Sequence, residues 1–489
     1  MNDSVNCGVA WRAGQVQVSS PAAVRRIPVG AAPAVVSSVA GTATCWGGCS
    51  SCHYVWRRGI SRLHAPAVAP PTMARYPAMP RIGVVLGDFP IVSETFIIDQ
   101  IAGLVELGFE VEVFCNKLLE PPQREEEPLR SLMPLARPRP VAHRLVHGFL
   151  RRLGRDAARD QELRARWRVE ILADAASCWR LNRCDVLIAH FGWMGQRLAE
   201  GSALGILRRP FATVLHGKDV AIPFNTGELR EYGTLFRHCS LLLPVCDLFR
   251  RMLLGAGADP GRTRVLPTGV DCAAIPFAPP SPMPAGARIL TTARLVEKKG
   301  VDDAIRALAS LRGRRPALQW RYDIVGDGPL RRQLEALAAE TGLTDRVRFL
   351  GAVPHDVAKR QLRSADIFLL PSRTATDGDM EGVPVSLKEA MAAGLAVVST
   401  THSGISELIA HRETGLLAPE RDVTALSGQL EWAMDHPADL VALARAARAR
   451  VEAQFDAREI NGCLGGMLLD LASRGAASRV EQPRPVDRL

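Results

Sequence analysis

Residues 366–400 read DIFLLPSRTATDGDMEGVPVSLKEAMAAGLAVVST, which is the pattern of a strand, a loop, a helix and a second strand. The apolar runs 366–370 and 396–400 are short and bounded by turn residues, as buried strands are. Between them, residues 386–393 have helical spacing, and Gly394 ends the helix. Such a unit builds a parallel sheet covered by helices on both faces.

The same alternation extends in both directions from this stretch. The second half of the chain adds apolar runs at 288–292, 321–326 and 346–350, with helical patterns at 301–312, 329–341 and 355–364. The first half has apolar runs at 81–86, 110–114, 185–189, 211–215 and 240–244, and a helical pattern from Glu94 to Leu107. Proline-rich residues 277–287 separate the two series, as an interdomain linker does. We therefore predict an α/β protein of two tandem Rossmann-like, doubly wound domains, 80–278 and 286–455, with the ligand cleft between them.

Length and composition limit the classes of protein that this chain can belong to. Its 489 residues are too many for one ordinary core, and 47% apolar with 23% charged residues is typical of a globular protein. No window has 18 uninterrupted apolar residues, so no transmembrane helix is predicted. A net charge of +10 permits an anionic ligand or membrane surface but selects neither, and no nucleic-acid partner is predicted. The scattered cysteines indicate buried free thiols of a reducing cytoplasm.

Residues 1–72 differ in composition from the rest, with a single acidic residue and little periodicity. Within them, Cys49, Cys52 and His53 match the haem-attachment pattern, but that chemistry needs an export signal, and none is present. Zinc would need a further well-placed ligand. We therefore predict a disordered extension, or a start assigned too far upstream, with Met73 or Met79 as the natural start.

Two other segments depart from the α/β alternation. Residues 137–168 contain ten arginines and three acidic residues, with leucines and a phenylalanine at near-helical spacing. This segment is either a solvated helical excursion or a basic amphipathic face that contacts anionic lipid. Residues 474–489 are predicted to be a disordered tail.

The segment TARLVEKKG, residues 292–300, follows a predicted strand and precedes a predicted helix. Arg294 and Lys299 at such a helix start suit a diphosphate, which Arg can bind bidentately and Lys as a point charge. The alternative is that both are surface cations paired with Glu297 or Asp302. A second strand-to-helix junction, IVGDGPL, has Gly326 where the backbone must turn tightly.

Four carboxylates crowd the loop and helix of the opening stretch: Asp377, Asp379, Glu381 and Glu389. Carboxylates accept hydrogen bonds from sugar hydroxyls, which makes Glu381 and Glu389 candidate ligand-binding groups. Ser386 and Glu389 also have capping-box spacing, so Glu389 alternatively caps its helix. The Asp-x-Asp pattern suggests a cation, but no His or Cys completes a site, and no metal is predicted.

Histidines follow two strands of the first domain. His216 begins HGKD after the run 211–215, and His190 ends the run before it. A side chain at the carboxyl end of a parallel strand points into the ligand crevice. His216 could there hydrogen bond to a sugar or stabilise developing charge.

Taken in this order, the motifs resemble the retaining glycosyltransferase family 4, whose fold of two Rossmann domains is named GT-B. The second half carries ARLVEKKG, VGDGPL, VRFLGAV, SADIFLLPS and EGVPVSLKEAMAAGLAVVSTTHSGISELI. In the first half, DFPIVSETFI, AHFG and LHGKDV look like the subgroup that builds bacterial exopolysaccharides of the colanic acid and amylovoran type. The resemblance spans residues 81–455.

The resemblance implies a role for each motif in binding a nucleoside-diphosphate sugar donor. His216 would lie by the donor sugar at the reacting centre, Glu381 would bind its hydroxyls, and Asp219 would support the loop. Ser93 and Glu94 would face the acceptor or the phosphate. The donor-binding set would be Arg294 and Lys299 on the diphosphate, Gly382 and Val383 on the sugar, Glu389 on the ribose, Val353 near the base, and Gly326.

The resemblance also implies the reaction and its setting. A hexose would pass with retention of configuration, without a metal, from a donor such as UDP-hexose to a glycan or polyprenyl-diphosphate-linked oligosaccharide. The protein would be cytoplasmic, or peripheral on the inner face of the cytoplasmic membrane. Residues 456–473 would form a helix that crosses back to the first domain.

One departure is Thr268, where the family usually has Asn. The alternatives are a same-fold epimerase or hydrolase, and an inactive nucleotide-sugar-binding protein.

Overall fold

A computed structural model describes residues 79–91, 94–119, 132–138, 178–280, 283 and 286–480. Four sequence predictions lie wholly or partly outside these residues: the extension 1–72, Ser93, all but the first two residues of the basic segment 137–168, and residues 481–489 of the tail.

The first domain is a parallel sheet built from the apolar runs of the sequence. Its strands are β1 (Arg81–Val85), β2 (Asp88–Phe89), β3 (Glu110–Cys115), β4 (Lys117–Leu118), β5 (Ala136–Pro138), β6 (Val186–His190), β7 (Phe211–Leu215) and β8 (Leu241–Pro244). In the described residues the main sheet has the order β5-β3-β1-β6-β7-β8, and β2 pairs separately with β4. Every residue of β6 and β7 is buried, because helices cover both faces of the sheet.

Five helices of this domain are described: α1 (Thr95–Glu106), α2 (Gly192–Ala203), α3 (Lys218–Asn225), α4 (Gly233–His238) and α5 (Asp247–Gly255). The first matches the predicted helix, since its buried Ile97, Ile101 and Leu104 recur at helical spacing. The chain leaves α1 through Gly108, whose φ of 88° favours glycine.

The second domain repeats the arrangement. Its strands are β9 (Ala287–Thr292), β10 (Trp320–Val325), β11 (Val347–Gly351), β12 (Ile367–Leu370), β13 (Ala396–Thr400) and β14 (Leu416–Ala418). They are parallel, in the order β11-β10-β9-β12-β13-β14. The edge strand β14 was not predicted, because three residues are too few to show a period. The predicted α/β class with two doubly wound domains is confirmed.

The helices of the second domain are α6 (Val301–Arg314), α7 (Arg331–Glu340), α8 (His355–Ser364), α9 (Val385–Ala393), α10 (Ile405–Leu408), α11 (Val423–Asp435) and α12 (Pro437–Phe455). Helix α6 buries Ala304, Ile305, Leu308 and Leu311 on one face. Its charged face remains outside, which is the amphipathic pattern that identified it in the sequence.

The chain returns to the first domain at Asp456, which pairs with Val270 in an isolated parallel bridge. Helix α13 (Ala457–Val480) follows and lies against α1, where Asn461 packs so tightly on Gly103 that any Cβ at Gly103 would collide with it. The tail is predicted to begin at residue 474, and residues 474–480 lie in helix α13. They continue the helix because alanines favour it and Gly475 packs against Pro210. Residues 481–489 lie outside the described part.

Loops at the carboxyl ends of strands in the two sheets meet at one cleft. Both domains belong to one compact unit, Val68–Leu489. A Cβ at Gly217, just after β7, would lie 3.0 Å from the carbonyl oxygen of Met380, in the loop after β12. Asn225 of the first domain donates to the carbonyl oxygen of Gly378 (2.9 Å). The two predicted motif loops, HGKD and DGDMEG, are therefore in direct contact.

Candidate active site

A buried carboxylate joins the loops that follow β6 and β7. Asp219 is 1% exposed and accepts hydrogen bonds from the backbone N–H groups of Gly192 (2.8 Å), His216 (3.0 Å) and Gly217 (2.9 Å). Burial raises the pKa of Asp219, and these donors oppose the rise. Asp219 therefore sets the position of His216, which is the placement that its implied supporting role requires.

The two histidines at the ends of neighbouring strands lie against each other. Nδ1 of His190 is 3.1 Å from Nε2 of His216, and the rings are stacked with centroids 5.3 Å apart. Burial lowers the pKa of His190 to about 3, and burial together with His190 lowers the pKa of His216 well below its usual value. Both rings are therefore neutral at pH 7, and one facing nitrogen donates to the other.

The second ring nitrogen of His216 is the one left for a substrate. Its Nδ1 is buried and has no hydrogen-bond partner within the described part of the chain. The rings of Phe96 and Phe191 each have their centroid 4.8 Å from that of His216. An unpaired buried nitrogen costs free energy, so a ligand group that hydrogen bonds to Nδ1 recovers it.

Glu381 lies in the second domain opposite this histidine. Its Oε1 is 3.1 Å from Nζ of Lys299 and 3.5 Å from Nζ of Lys298, and Lys298 also contacts Asp379 at 3.0 Å. Burial acts to raise the pKa of Glu381, but the two ammonium groups outweigh it and lower that pKa to about 2. The carboxylate is thus ionised at every physiological pH.

The loop around Glu381 is held by His402. The backbone N–H of Glu381 donates to Nε2 of His402 (3.0 Å), whose Nδ1 lies 2.6 Å from Glu420. On its other side, a Cβ at Gly382 would lie 3.0 Å from the carbonyl oxygen of His216. Glu381 is therefore positioned by its own domain and touches the histidine loop through the next residue.

The alternative partners considered for Lys299 are wrong. Glu297 instead accepts from the backbone N–H and hydroxyl of Thr376, and Asp302 pairs with Arg306 and Arg373. Lys299 pairs with Glu381 because residues 297–299 form a turn that carries its ammonium toward the next loop.

Arg294, the other cation of the predicted diphosphate site, is exposed at the cleft. It acts on Glu94 of the first domain: burial raises the pKa of Glu94 to about 7, and Arg294 acts against that rise. Glu94 directly precedes α1. Because Arg294 interacts electrostatically with it, the carboxylate predicted on the acceptor side lies near the cation predicted to bind phosphate.

Glu389 does not cap its helix. Helix α9 begins at Val385, and its N-cap residue is Pro384, which makes no side-chain capping bond. The capping-box interpretation is wrong because proline directs the start of the helix one residue earlier than Ser386. Burial raises the pKa of Glu389 and Asp99 of α1 raises it further, while Lys359 and Lys388 lower it. The carboxylate therefore faces the first domain across the cleft.

Lys388 was not identified from the sequence, in which it resembles an ordinary helix lysine. Its side chain is fully buried, and its ammonium group donates to the carbonyl oxygen and hydroxyl of Thr268. It also lies 5.6 Å from the ring centroid of Phe455. Burial lowers the pKa of Lys388 to about 7. Thr268, which stands where the family usually has Asn, thus accepts hydrogen bonds from a buried lysine of the second domain.

The remaining predicted donor residues lie along the same edge. At Gly326, φ is 131° and a Cβ would collide with the carbonyl of Ala293, so only glycine lets the GDGP loop pack on the TARLVEKKG loop. Val383 is buried, and Val353 is half-buried just after β11. Throughout the described ranges, no three His, Cys, Asp or Glu side chains are grouped to hold a metal ion. Asp379 is instead occupied by Lys298.

Comparison with known proteins agrees with this geometry. Residues 93–274 match the model of Glycosyltransferase Family 4, and residues 284–450 match that of Glycosyl transferases group 1. WcaL of Escherichia coli K12, assigned to colanic acid biosynthesis, is 36% identical over 79% of this chain and 99% of its own length. The chain belongs to glycosyltransferase family 4. AmsK, the amylovoran biosynthesis glycosyltransferase of Erwinia amylovora, is 34% identical over 75% of this glycosyltransferase and 94% of its own length.

Solved structures establish the architecture. HepE of Anabaena in complex with UDP covers 80% of this glycosyltransferase and all of its own chain, at 20% identity and a TM-score of 0.61. Sucrose-phosphate synthase of Thermosynechococcus elongatus covers 81%, at 19% identity and a TM-score of 0.59. The predicted GT-B fold is therefore confirmed. No helix of the described residues is both long and apolar enough to cross a membrane.

Proposed function

We propose that this glycosyltransferase transfers a hexose, with retention of configuration, from a nucleoside-diphosphate sugar to a lipid-linked oligosaccharide in exopolysaccharide biosynthesis. The observation that carries the proposal is the cluster of Lys298, Lys299 and Glu381, whose loop contacts the backbone of the His216 loop. A permanently ionised carboxylate beside two ammonium groups can hold sugar hydroxyls and a diphosphate side by side. The exopolysaccharide assignments of WcaL and AmsK, and the UDP bound by HepE, support the donor and the pathway class.

Each residue contributes one interaction in the proposed reaction. Lys299 and Arg294 stabilise the diphosphate as its negative charge grows, Glu381 orients the sugar hydroxyls, and Nδ1 of His216 hydrogen bonds to the sugar. The acceptor oxygen forms the new bond to the anomeric carbon while the bond from that carbon to the diphosphate breaks. The acceptor proton passes to a leaving diphosphate oxygen on the same face, so nucleoside diphosphate departs and configuration is retained. Lysine and arginine supply the positive charge, so we propose that no metal is required.

The proposed setting is the inner membrane face, because a polyprenyl-diphosphate carrier resides there. The arginine-rich segment 137–168 would contact anionic lipid headgroups. Binding to vesicles of phosphatidylglycerol, weakened by salt and lost when the arginines of this segment beyond strand β5 are replaced by glutamine, tests this contact. Equal binding to neutral phosphatidylcholine vesicles argues against it.

A donor screen tests the reaction. Purified protein is incubated with UDP-, GDP- and dTDP-hexoses, with and without an extract of membrane lipid, and release of nucleoside diphosphate is measured. Release that depends on lipid and persists in EDTA is expected. Release with free sugar and no need for lipid would instead identify a hydrolase or epimerase. Binding of a donor without release would identify an inactive binding protein, and activity lost in EDTA but restored by Mg²⁺ or Mn²⁺ would identify a metal-dependent reaction.

A further inference from the structure

An aromatic stack extends from the candidate catalytic histidine to the protein surface. The ring of Phe191 contacts His216 (centroids 4.8 Å apart), and the indole of Trp193 stacks on Phe191 with centroids 4.8 Å apart and planes 3° apart. Trp193 remains 43% exposed. Because Phe191 covers one face of the indole, the exposed part is the other face and the edges. The stack therefore leads from His216 to a flat aromatic surface that is exposed to solvent.

The backbone at Phe191 is strained. Its φ of 73° and ψ of 140° lie in a region that residues with a Cβ rarely adopt. Four hydrogen bonds impose this conformation on the loop. The N–H of Phe191 donates to Val214, its carbonyl accepts from Met194 and Gly195, and the following N–H, of Gly192, donates to Asp219.

Folding alone does not explain this arrangement. Glycine would adopt the same backbone without steric strain, and an indole gains most by full burial. The chain instead bears the strain at Phe191 and leaves Trp193 in solvent, one ring removed from the histidine expected at the reacting centre. Rigid exposed aromatic side chains beside a site are typical of ligand contacts. A pyranose ring has an apolar face of C–H groups that packs on an indole.

We infer that the Phe191–Trp193 stack is an acceptor subsite that holds a sugar ring of an oligosaccharide acceptor. The inference rests on the proposed function and names the substrate class of the same site. Phe191 separates Trp193 from His216, so the ring on the indole is not the one that reacts. It is the sugar adjacent to the one that receives the hexose. The acceptor must then contain at least two sugars.

Binding to defined sugars tests the subsite. With UDP present, the methyl glycosides of glucose and galactose are compared with those of cellobiose, maltose, lactose and gentiobiose, by saturation-transfer NMR. The wild-type protein should bind at least one disaccharide about tenfold more tightly than its monosaccharide, and Trp193→Ala should remove that advantage. Trp193→Phe should keep most of it. Trp179→Ala removes a more exposed indole elsewhere (64% exposed) and should change nothing.

A second variant separates the contribution of the Phe191 ring to sugar binding from its contribution to stability. Phe191→Gly relieves the backbone strain but removes a partly buried ring that packs on the core, so it should stay folded, unfold at a lower denaturant concentration, and lose the disaccharide preference. The UDP affinity of Trp193→Ala should stay within about twofold of wild type, because the donor cluster lies in the other domain.

The outcomes distinguish this inference from the function on which it rests. Wild-type protein that turns over a nucleotide sugar but prefers no disaccharide would overturn the subsite alone. Failure to bind or turn over any nucleotide sugar would overturn the proposed function. If Trp193→Ala lowers binding to phosphatidylglycerol vesicles and leaves disaccharide binding intact, the stack contacts lipid and the inference is wrong.

Discussion

The ammonium group of Lys299 lies 3.1 Å from a carboxylate oxygen of Glu381, although the sequence assigns the first residue to the donor diphosphate and the second to the donor sugar. The two groups neutralise each other in the free protein. A bound diphosphate would compete with Glu381 for the same positive charge. Donor binding and the charge of Glu381 are therefore coupled. Substitutions of Lys299 and of Glu381 should differ in their effects on UDP affinity and on turnover.

Lys299→Ala should lower turnover of the nucleotide sugar by about 100-fold to 1,000-fold, since the leaving diphosphate loses a counter-charge in a partly dry cleft. Steady-state kinetics with the donor found in the screen measure the effect. Arg312→Ala is the control, because Arg312 forms an exposed ion pair with Asp345 at the far end of α6. Unchanged kinetics for Lys299→Ala would exclude it from the diphosphate site.

Glu381→Gln should separate binding from transfer. The amide keeps the shape of the side chain but releases Lys298 and Lys299 from their counter-charge, so UDP should bind at least as tightly as to wild type. Transfer should fall about 100-fold, because an amide orients the sugar hydroxyls poorly. Calorimetry with UDP and turnover assays give the two quantities. A variant that loses UDP affinity and keeps transfer would reverse these roles.

Donor affinity should decrease as pH rises from 6 to 8. The pKa of Glu94 is raised to about 7, so its carboxyl is neutral below this range and negative above it. The negative form attracts Arg294 and repels the diphosphate, and an interaction of ~1 kcal/mol corresponds to about a fivefold weaker affinity.

The measurement uses an intact nucleotide sugar, whose diphosphate does not titrate between pH 6 and 8. Glu94→Gln should lose most of this pH dependence. A wild-type affinity that does not change across this range, or a variant that keeps the slope, would place Glu94 away from the donor.

Stability should respond to pH through Lys388. Burial lowers its folded pKa to about 7, below the value in the unfolded chain, so between these two values the unfolded state binds more protons. The free energy of unfolding should therefore rise with pH above 7, by up to about 1.4 kcal/mol per pH unit from this group. Below pH 7 the contribution is constant and unfavourable.

Lys388→Met removes the titration and keeps the length of the side chain. Urea unfolding at pH 7, 8 and 9 is compared between the two proteins, since the buried thiols titrate alike in both and cancel in the difference. The wild type should gain stability relative to the variant as pH rises. A constant difference would mean that Lys388 keeps its charge inside the protein.

Much of the fold followed from local patterns. The run FATVL at 211–215 is strand β7 without change, and the helix over 386–393 is present with one residue added at its start. These predictions succeeded because burial on a sheet or helix face imposes its own period on the residues. The predicted capping box at Ser386 and Glu389 did not form. The helix starts one residue earlier, at Val385, with Pro384 as its N-cap residue.

The sequence by itself determined the two α/β domains and the family, and it supplied the residues proposed to bind the donor, because each is written in short contiguous motifs. Only the tertiary structure decided which residues meet. The pairing of His190 with His216 depends on the register of β6 and β7, and the contacts of Lys299 with Glu381 and of Lys388 with Thr268 depend on how loops and domains meet. Periodicity records which face of an element is buried, but not what lies against it, so partners far apart in the chain appear only when the sheets and domains are assembled.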